Sequence, residues 1–330
     1  MREAAGPGAA RAPTPLKRWT LRGLLIAFYI GVAAMLVSIG RGLDWGEVAT
    51  ALRELPLHSL LLAGACSLAC YLLYAGYELL AARHVTPGLP QRSVAAIGFV
   101  SYTFNLNLGA ILGALGVRLR LYTARGVPSG EGVRIVAFNL LTNWSGYVVT
   151  LGLALLLLWS EPPAAWGLGA VPLRLIGGAL LLAAAGYLWA CARATRRSFT
   201  LRGQTIELPS LRHALLQLAL SVPVWILGAA SLALLLGPRV GFDLVIVTLL
   251  ASAVAGLVVR IPAGLGVIEG VFLASLGSAV GESRLLAALL AYRCVHYLGP
   301  LLLGLVTFLV LELRARGTRR PKVHAAPVNA

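Results

Sequence analysis

"VVRIPAGLGVIEG", residues 258–270, interrupts a long apolar region with an arginine, a proline, four small residues (Ala263, Gly264, Gly266 and Gly270) and a glutamate. A charge in hydrocarbon is costly unless it is paired or hydrated. Pro262 removes a helix hydrogen bond, while Gly264 and Gly266 let the backbone turn and approach other chains closely. Unwound backbone at that depth is tolerated only inside protein or beside a water-filled cavity. The stretch therefore reads as a break inside a membrane-embedded segment, with Arg260 and Glu269 charging the opening, and the rest of the chain must supply its surroundings.

Composition agrees. The 330-residue chain is 58% hydrophobic and 12% charged, with mean hydropathy +0.83, whereas a soluble domain carries about 25% charged residues. Several apolar runs reach the ~20 residues that cross a bilayer. An outer-membrane barrel would instead show ~10-residue alternating segments. The expected fold is an all-α polytopic integral membrane protein. The net charge of +16 sits in short loops and tails, as in the cytoplasmic loops of inner-membrane proteins. No segment is long enough for a soluble nucleic-acid module, so no nucleic-acid partner is expected. Cys66, Cys70, Cys191 and Cys294 all fall in apolar runs without metal or redox spacing, so they read as small packing residues and no metal or cofactor is expected.

Spans are expected at about 22–40, 58–82, 132–158, 174–192, 213–237 and 285–313, with irregular apolar regions at about 93–131 and 242–281. This gives about eight membrane segments. Residues 1–20 form a basic tail and 314–330 a second one, flanking a single membrane domain over 21–313. Arginines crowd the N-terminal tail, the 83–92 loop, the 193–212 loop and the C-terminal tail, which places both termini in the cytoplasm of a bacterial inner membrane. Parity follows. Arg118, Arg120 and Arg125 also belong inside, so 93–131 must enter and return on the cytoplasmic face, as a re-entrant hairpin or two passes. Region 242–281 must do so from the opposite face.

The two regions resemble each other. Leu115-Gly116-Val117 matches Leu265-Gly266-Val267, and Gly130-Glu131 followed by Arg134 matches Gly281-Glu282 followed by Arg284. Half-repeats over about 58–192 and 213–313 would form an inverted repeat, whose broken helices mark transporter binding sites. Gly109, Gly113, Pro262, Gly264 and Gly266 are the expected break residues. Close packing of Gly-rich helices is the alternative.

Arg118, Arg120, Arg260, Glu269 and Arg293 are the candidate headgroup contacts, since such a cluster suits an anionic phosphate. Arg293 is expected to pair with Glu269 or Glu78. Arg293, His296, Tyr297 and Pro300 recur at i, i+3, i+4 and i+7, and should share an inward face. Glu78 shares a face with Tyr71 and Tyr74. Asn139, Thr142, Asn143 and Gly146 form a polar stripe, and Asn105 and Asn107 lie at the first break. Glu78, Asn105, Asn107, Asn139, Asn143, His296 and Tyr297 are thus the expected lining of a polar cavity. Purely structural ion pairs and interhelical hydrogen bonds remain the competing reading. There is no G-x-S-x-G, H-E-x-x-H or acidic Mg²⁺ cluster, so no enzyme is expected.

"IPAGLGVIEG" resembles the P-x-G-x-G-x-x-E signature of the lysylphosphatidylglycerol synthase transmembrane-region family, also called flippase-like. "NLNLGAILGALGVRLRLYTARGV" is similar to that family's other stretch, in which an Asn- and Gly-containing segment leads into R-x-R-x-Y and then Gly. The resemblance covers about residues 22–313. Bifunctional members append a soluble domain that transfers an amino acid from tRNA. Here a short basic tail is expected in its place, so only the membrane part's role is implied: moving an anionic or aminoacylated phospholipid, or a polyprenyl glycolipid, between leaflets. No nucleotide-binding motif is present, so an ion gradient or lipid asymmetry would supply the energy. An intramembrane lipid-modifying enzyme is one alternative. A non-transporting partner of a separately encoded lipid-synthesis enzyme is another.

Overall fold

A computed structural model describes residues 45–158, 160–194, 198–201, 204–259 and 264–318. The expected span at 22–40, the N-terminal tail, most of the C-terminal tail, Arg260 and Pro262 lie outside them. The order begins with α1 (Trp45–Arg53), α2 (Leu57–Val85) and α3 (Gln91–Gly109). A π-helical stretch, Ala110–Val117, continues into α4 (Arg118–Thr123), followed by α5 (Ser129–Leu156) and α6 (Ala170–Arg193). Strands β1 (Ser198–Leu201) and β2 (Gln204–Glu207) precede α7 (Leu211–Leu236), α8 (Phe242–Val259) and α9 (Val267–Val280). The last long run is α10 (Glu282–Arg293), a second π-helical stretch (Cys294–Leu298) and α11 (Gly299–Thr318). Boundaries follow local chemistry: Pro56 and Pro128 precede α2 and α5, and the Ser210 hydroxyl caps α7 by accepting from the His213 N–H at 3.3 Å.

Among the described residues, five helical runs are long and apolar enough to cross a bilayer: Leu57–Val85, Ala170–Arg193, Leu211–Leu236, Phe242–Val259 and Glu282–Arg314. Helix α5 matches the expected 132–158 span in length but carries the polar stripe. Helix α6 shows the outward side of this architecture, with Leu175, Leu182 and Trp189 exposed by 70%, 76% and 65%. An apolar surface of that extent suits lipid, not water. One local feature departs from an all-helical chain. In the 193–212 connection β1 and β2 pair antiparallel, Phe199 opposite Ile206.

Both irregular regions are broken helices. Helix α3 ends at Gly109, whose φ of 81° suits glycine alone among ordinary residues. The chain then folds back so tightly that a Cβ on Gly113 would collide with the backbone of Phe104 and Asn105. Gly113 is therefore a close-approach residue within a π-helix, not a second break. In the other region α8 packs against α9, and Gly264 and Gly266 take φ of 55° and 77° just before α9. The order long helix, shorter helix, glycine break, short returning segment, long helix thus occurs twice, from α2 and from α7. Those two leading helices pack along each other, where the Ser231 hydroxyl donates to Ala63 O at 3.1 Å.

Candidate functional site: two ion pairs beside the helix breaks

The first pair centres on Glu78, which is 1% exposed. The 3,4 spacing of Tyr71, Tyr74 and Glu78 puts all three on the buried face of α2. The carboxylate passes α3 where Gly98 leaves room; a Cβ there would sit 2.6 Å from Glu78 Cβ. Arg118 opens α4 and donates through Nε to both carboxylate oxygens at 3.1 and 3.0 Å, with its terminal nitrogen 3.0 Å from Oε2. Tyr122, one turn on, donates its hydroxyl to Oε1 at 2.8 Å. Asn139 of α5 donates its Nδ2 to Oε2 at 3.0 Å. Three side chains from two helices therefore satisfy one buried carboxylate, which is what holds such a pair in a low-dielectric site. Beside it lies a partly open cavity of about 60 Å³, lined among others by Tyr77, Asn105, Arg118, Asn139 and Asn143. At about 10–15 Å³ of accessible volume per water, it has room for a few waters.

The second pair sits beside the other break. Glu269, in the first turn of α9, accepts the Gly266 N–H at 3.0 Å, so the carboxylate caps the helix and meets its positive end. Arg293 donates to both Glu269 oxygens, through Nε to Oε1 and through its terminal nitrogen to Oε2 at 2.9 Å. The same nitrogen donates to Gly264 O at 3.1 Å. The Arg293 guanidinium lies 5.4 Å from the Tyr297 ring centroid, within cation–π range. One arginine thus clamps both sides of the glycine turn to the last long run.

Asn107, from the first hairpin, reaches that run. Its Nδ2 donates to Thr103 O at 2.8 Å and to Tyr297 O at 3.3 Å. The expected α-helical face over 293–300 is modified by the π stretch. Pro300 has no N–H for the carbonyl four residues back, His296 O, and the Tyr71 hydroxyl occupies that carbonyl at 2.9 Å. His296, 5% exposed, places Nδ1 2.9 Å from Ser67 Oγ, which is 3.4 Å from Ser231 Oγ. Since Ser231 donates to Ala63 O, this chain is satisfied end to end when Nδ1 carries the proton.

Of the expected site residues, the structure brings Glu78, Arg118 and Asn139 into direct contact, with Asn105 and Asn143 on the same cavity. Glu269 and Arg293 form the second pair, joined by Tyr297 and Asn107. Glu78 is the partner of Arg118, so of the two carboxylates expected for Arg293 it is Glu269 that pairs with it. Among the described arginines, Arg118, Arg293 and Arg120 each face a different carboxylate. Arg120 turns the other way and donates to both oxygens of Glu312, with its side chain 59% exposed. Sequence reasoning did not single out Tyr122, Gln217 or Glu312. Tyr122 closes the R-x-R-x-Y motif four residues after Arg118, one helical turn away, and that spacing was its available signal. Gln217, fully buried, donates to the Thr142 hydroxyl at 3.0 Å; it stands out only as an amide within an apolar run.

The profile of the family described as "Lysylphosphatidylglycerol synthase TM region" matches residues 21–304. The chain is 39% identical over 305 residues to "Inner membrane protein YbhN" of Escherichia coli (strain K12), covering 92% of this chain and 96% of that protein. It is 29% identical over 297 residues to "Uncharacterized protein slr0712" of Synechocystis sp. (strain ATCC 27184 / PCC 6803 / Kazusa), covering 86% and 92%.

Proposed function

Because the chain belongs to the lysylphosphatidylglycerol synthase TM-region family, we propose that it moves or handles a lipid with an anionic or aminoacylated headgroup, or a polyprenyl glycolipid, between the leaflets of a bacterial inner membrane. The observation that carries this reading is the cavity at the first break, where Arg118 and a set of amide side chains line one opening among apolar helices. A headgroup needs such a polar station to leave one interface for the other. The proposed topology has both termini in the cytoplasm and two halves of opposite orientation, so the two glycine breaks face each other across the bilayer. The inner-membrane placement is carried over from the Escherichia coli relative, an inner membrane protein. Transport fits the chemistry better than catalysis, because Glu78 and Glu269 are both occupied by arginine and neither is poised as a general base.

The test is reconstitution in liposomes with leaflet exchange of a labelled anionic phospholipid. Exchange should exceed that of protein-free vesicles and fall in Glu269→Gln and Arg293→Gln. Protein-free rates from the intact chain overturn the reading; normal rates in both variants remove the second pair from the route.

A further inference from the structure

We propose that His296 is a proton-binding site through which lipid movement draws on a proton gradient, its imidazole gaining and losing a proton at Nε2. The inference rests on the lipid-handling reading above and deepens it by naming the coupling ion. His296 is 5% exposed and lies in the π stretch Cys294–Leu298, inside a run long and apolar enough to cross a bilayer. An ionisable side chain at that depth is expensive, and a π turn often marks a functional position. Its two ring nitrogens differ. Nδ1 lies 2.9 Å from Ser67 Oγ and is engaged by the serine chain that ends on Ala63 O. Nε2 has no hydrogen-bond partner among the described residues. With the proton on Nδ1, the Nε2 lone pair is the free basic site of the ring.

Three phenol rings surround the imidazole. Tyr292 stacks on it at 5.0 Å, Tyr297 meets it edge-on at 5.6 Å, and Tyr71 lies tilted at 5.9 Å. All three are within reach of a cation–π attraction, which favours the charged ring. The other ionisable groups on the packed elements supply no counter-charge. Cys70 of α2 is turned to Val224 O, and Tyr102 of α3 packs against Tyr71. Arg293 of α10 is held by Glu269, and Glu312 of α11 by Arg120. Among the described residues no carboxylate pairs with the ring, so its proton comes from water and returns to water. In the described conformation an imidazolium would bury its Nε2–H without an acceptor, so this is the proton-free arrangement. The site stands where that can change. Ser67 belongs to α2 and Ser231 to α7, the leading helices of the two proposed halves, and their hydroxyls meet at 3.4 Å beside the ring. Transporters built from two halves rock one against the other. A shift at this seam admits water to Nε2 from one face and then the other. The lone pair takes one proton to give imidazolium, and yields it again to restore the neutral ring.

The experiment reconstitutes the full-length chain in liposomes with fluorescent phosphatidylglycerol, clamps the membrane potential at zero with potassium and valinomycin, and imposes a difference of one pH unit. One proton carried per lipid then holds up to about a tenfold leaflet ratio of the label. The unaltered chain should approach that ratio, and His296→Gln should bring it to about one. Exchange that ignores the pH difference overturns proton coupling and leaves the lipid-handling reading standing. A ratio that survives in His296→Gln overturns the role of this residue. Where the Gln variant exchanges no lipid at all, Ser67→Ala decides. It keeps the imidazole and removes the acceptor of Nδ1–H, which the charged ring needs most. Half-maximal exchange should then require about tenfold more protons, and an unshifted pH profile overturns the proposal. If the unaltered chain exchanges no lipid, the lipid-handling reading fails on its own. Nitrogen NMR of the chain with His58, His84, His213 and His324 changed to Gln still judges the site: a ring that protonates between pH 8 and pH 5 supports it, and one that stays neutral overturns it.

Discussion

Replacing Glu78 by Gln tests the physical reasoning at the first break most directly. The change keeps the shape of the side chain. It removes the charge that Arg118 faces at 3.0 Å while Arg118 remains 5% exposed. It also turns an amide NH₂ toward groups that are all donors: the Arg118 guanidinium, the Tyr122 hydroxyl and the Asn139 amide. Breaking a buried pair from one side costs about 3–5 kcal/mol, because the surviving charge has neither water nor partner. Arg118→Met should cost a similar amount by leaving the carboxylate with only Tyr122 and Asn139. The double variant Glu78→Gln/Arg118→Met buries no charge and should be nearer the parent than either single change. With single losses of about 3–5 kcal/mol each, the coupling between the two sites is then expected to exceed about 3 kcal/mol. Reversible SDS unfolding of the protein in mixed micelles, followed by circular dichroism, gives the three free energies. Additive single effects, or a double variant less stable than both singles, would show that the pair is not the closed unit described.

Other expectations follow from contacts of different kinds. Arg120→Gln should change stability by no more than about 0.5 kcal/mol in the same assay, because its pair with Glu312 is solvent-screened on the arginine side, 59% exposed. Gly98→Ala should destabilise by about 1–3 kcal/mol, since the new methyl meets Glu78 Cβ at 2.6 Å and one helix must move. Tyr71→Phe strands His296 O at a cost of about 1–3 kcal/mol. Adding Pro300→Ala should recover part of that loss by restoring a backbone donor, and no recovery would refute the account of the π stretch.

Hydropathy made the span positions legible: expected limits such as 58–82 and 213–237 lie within a few residues of Leu57–Val85 and Leu211–Leu236. The glycines made the breaks legible, because a positive φ is a local demand that sequence can express, as at Gly109 and Gly266. Charge pairing was only half legible. Two arginines and two carboxylates in the same apolar setting allow more than one matching, and the choice depends on which helix lies against which. Glu78 and Arg118 are 40 residues apart, and only the folding back of α3 into α4 brings them together. The π stretch at Cys294–Leu298 has no residue pattern of its own. Pro300 was read only as part of a regular inward face, and the Tyr71 hydroxyl that answers the missing N–H belongs to another element entirely. Gly113 was misjudged because a glycine needed for close approach and one needed for a turn look alike in sequence.

Asn107 makes two bonds of unequal quality, 2.8 Å to its own helix and 3.3 Å across to Tyr297. If the first hairpin withdraws from the last long run, the amide loses its weaker partner and keeps the stronger. Detachment at this point therefore costs about 1 kcal/mol or less, far below the cost of parting Glu78 from Arg118. The hold of the first hairpin on the last long run lies instead in packing, with Phe104 5.6 Å from Phe308 and Thr103 leaving no room for a Cβ on Gly304, and in the Arg120–Glu312 pair, so this amide trims the contact without governing it.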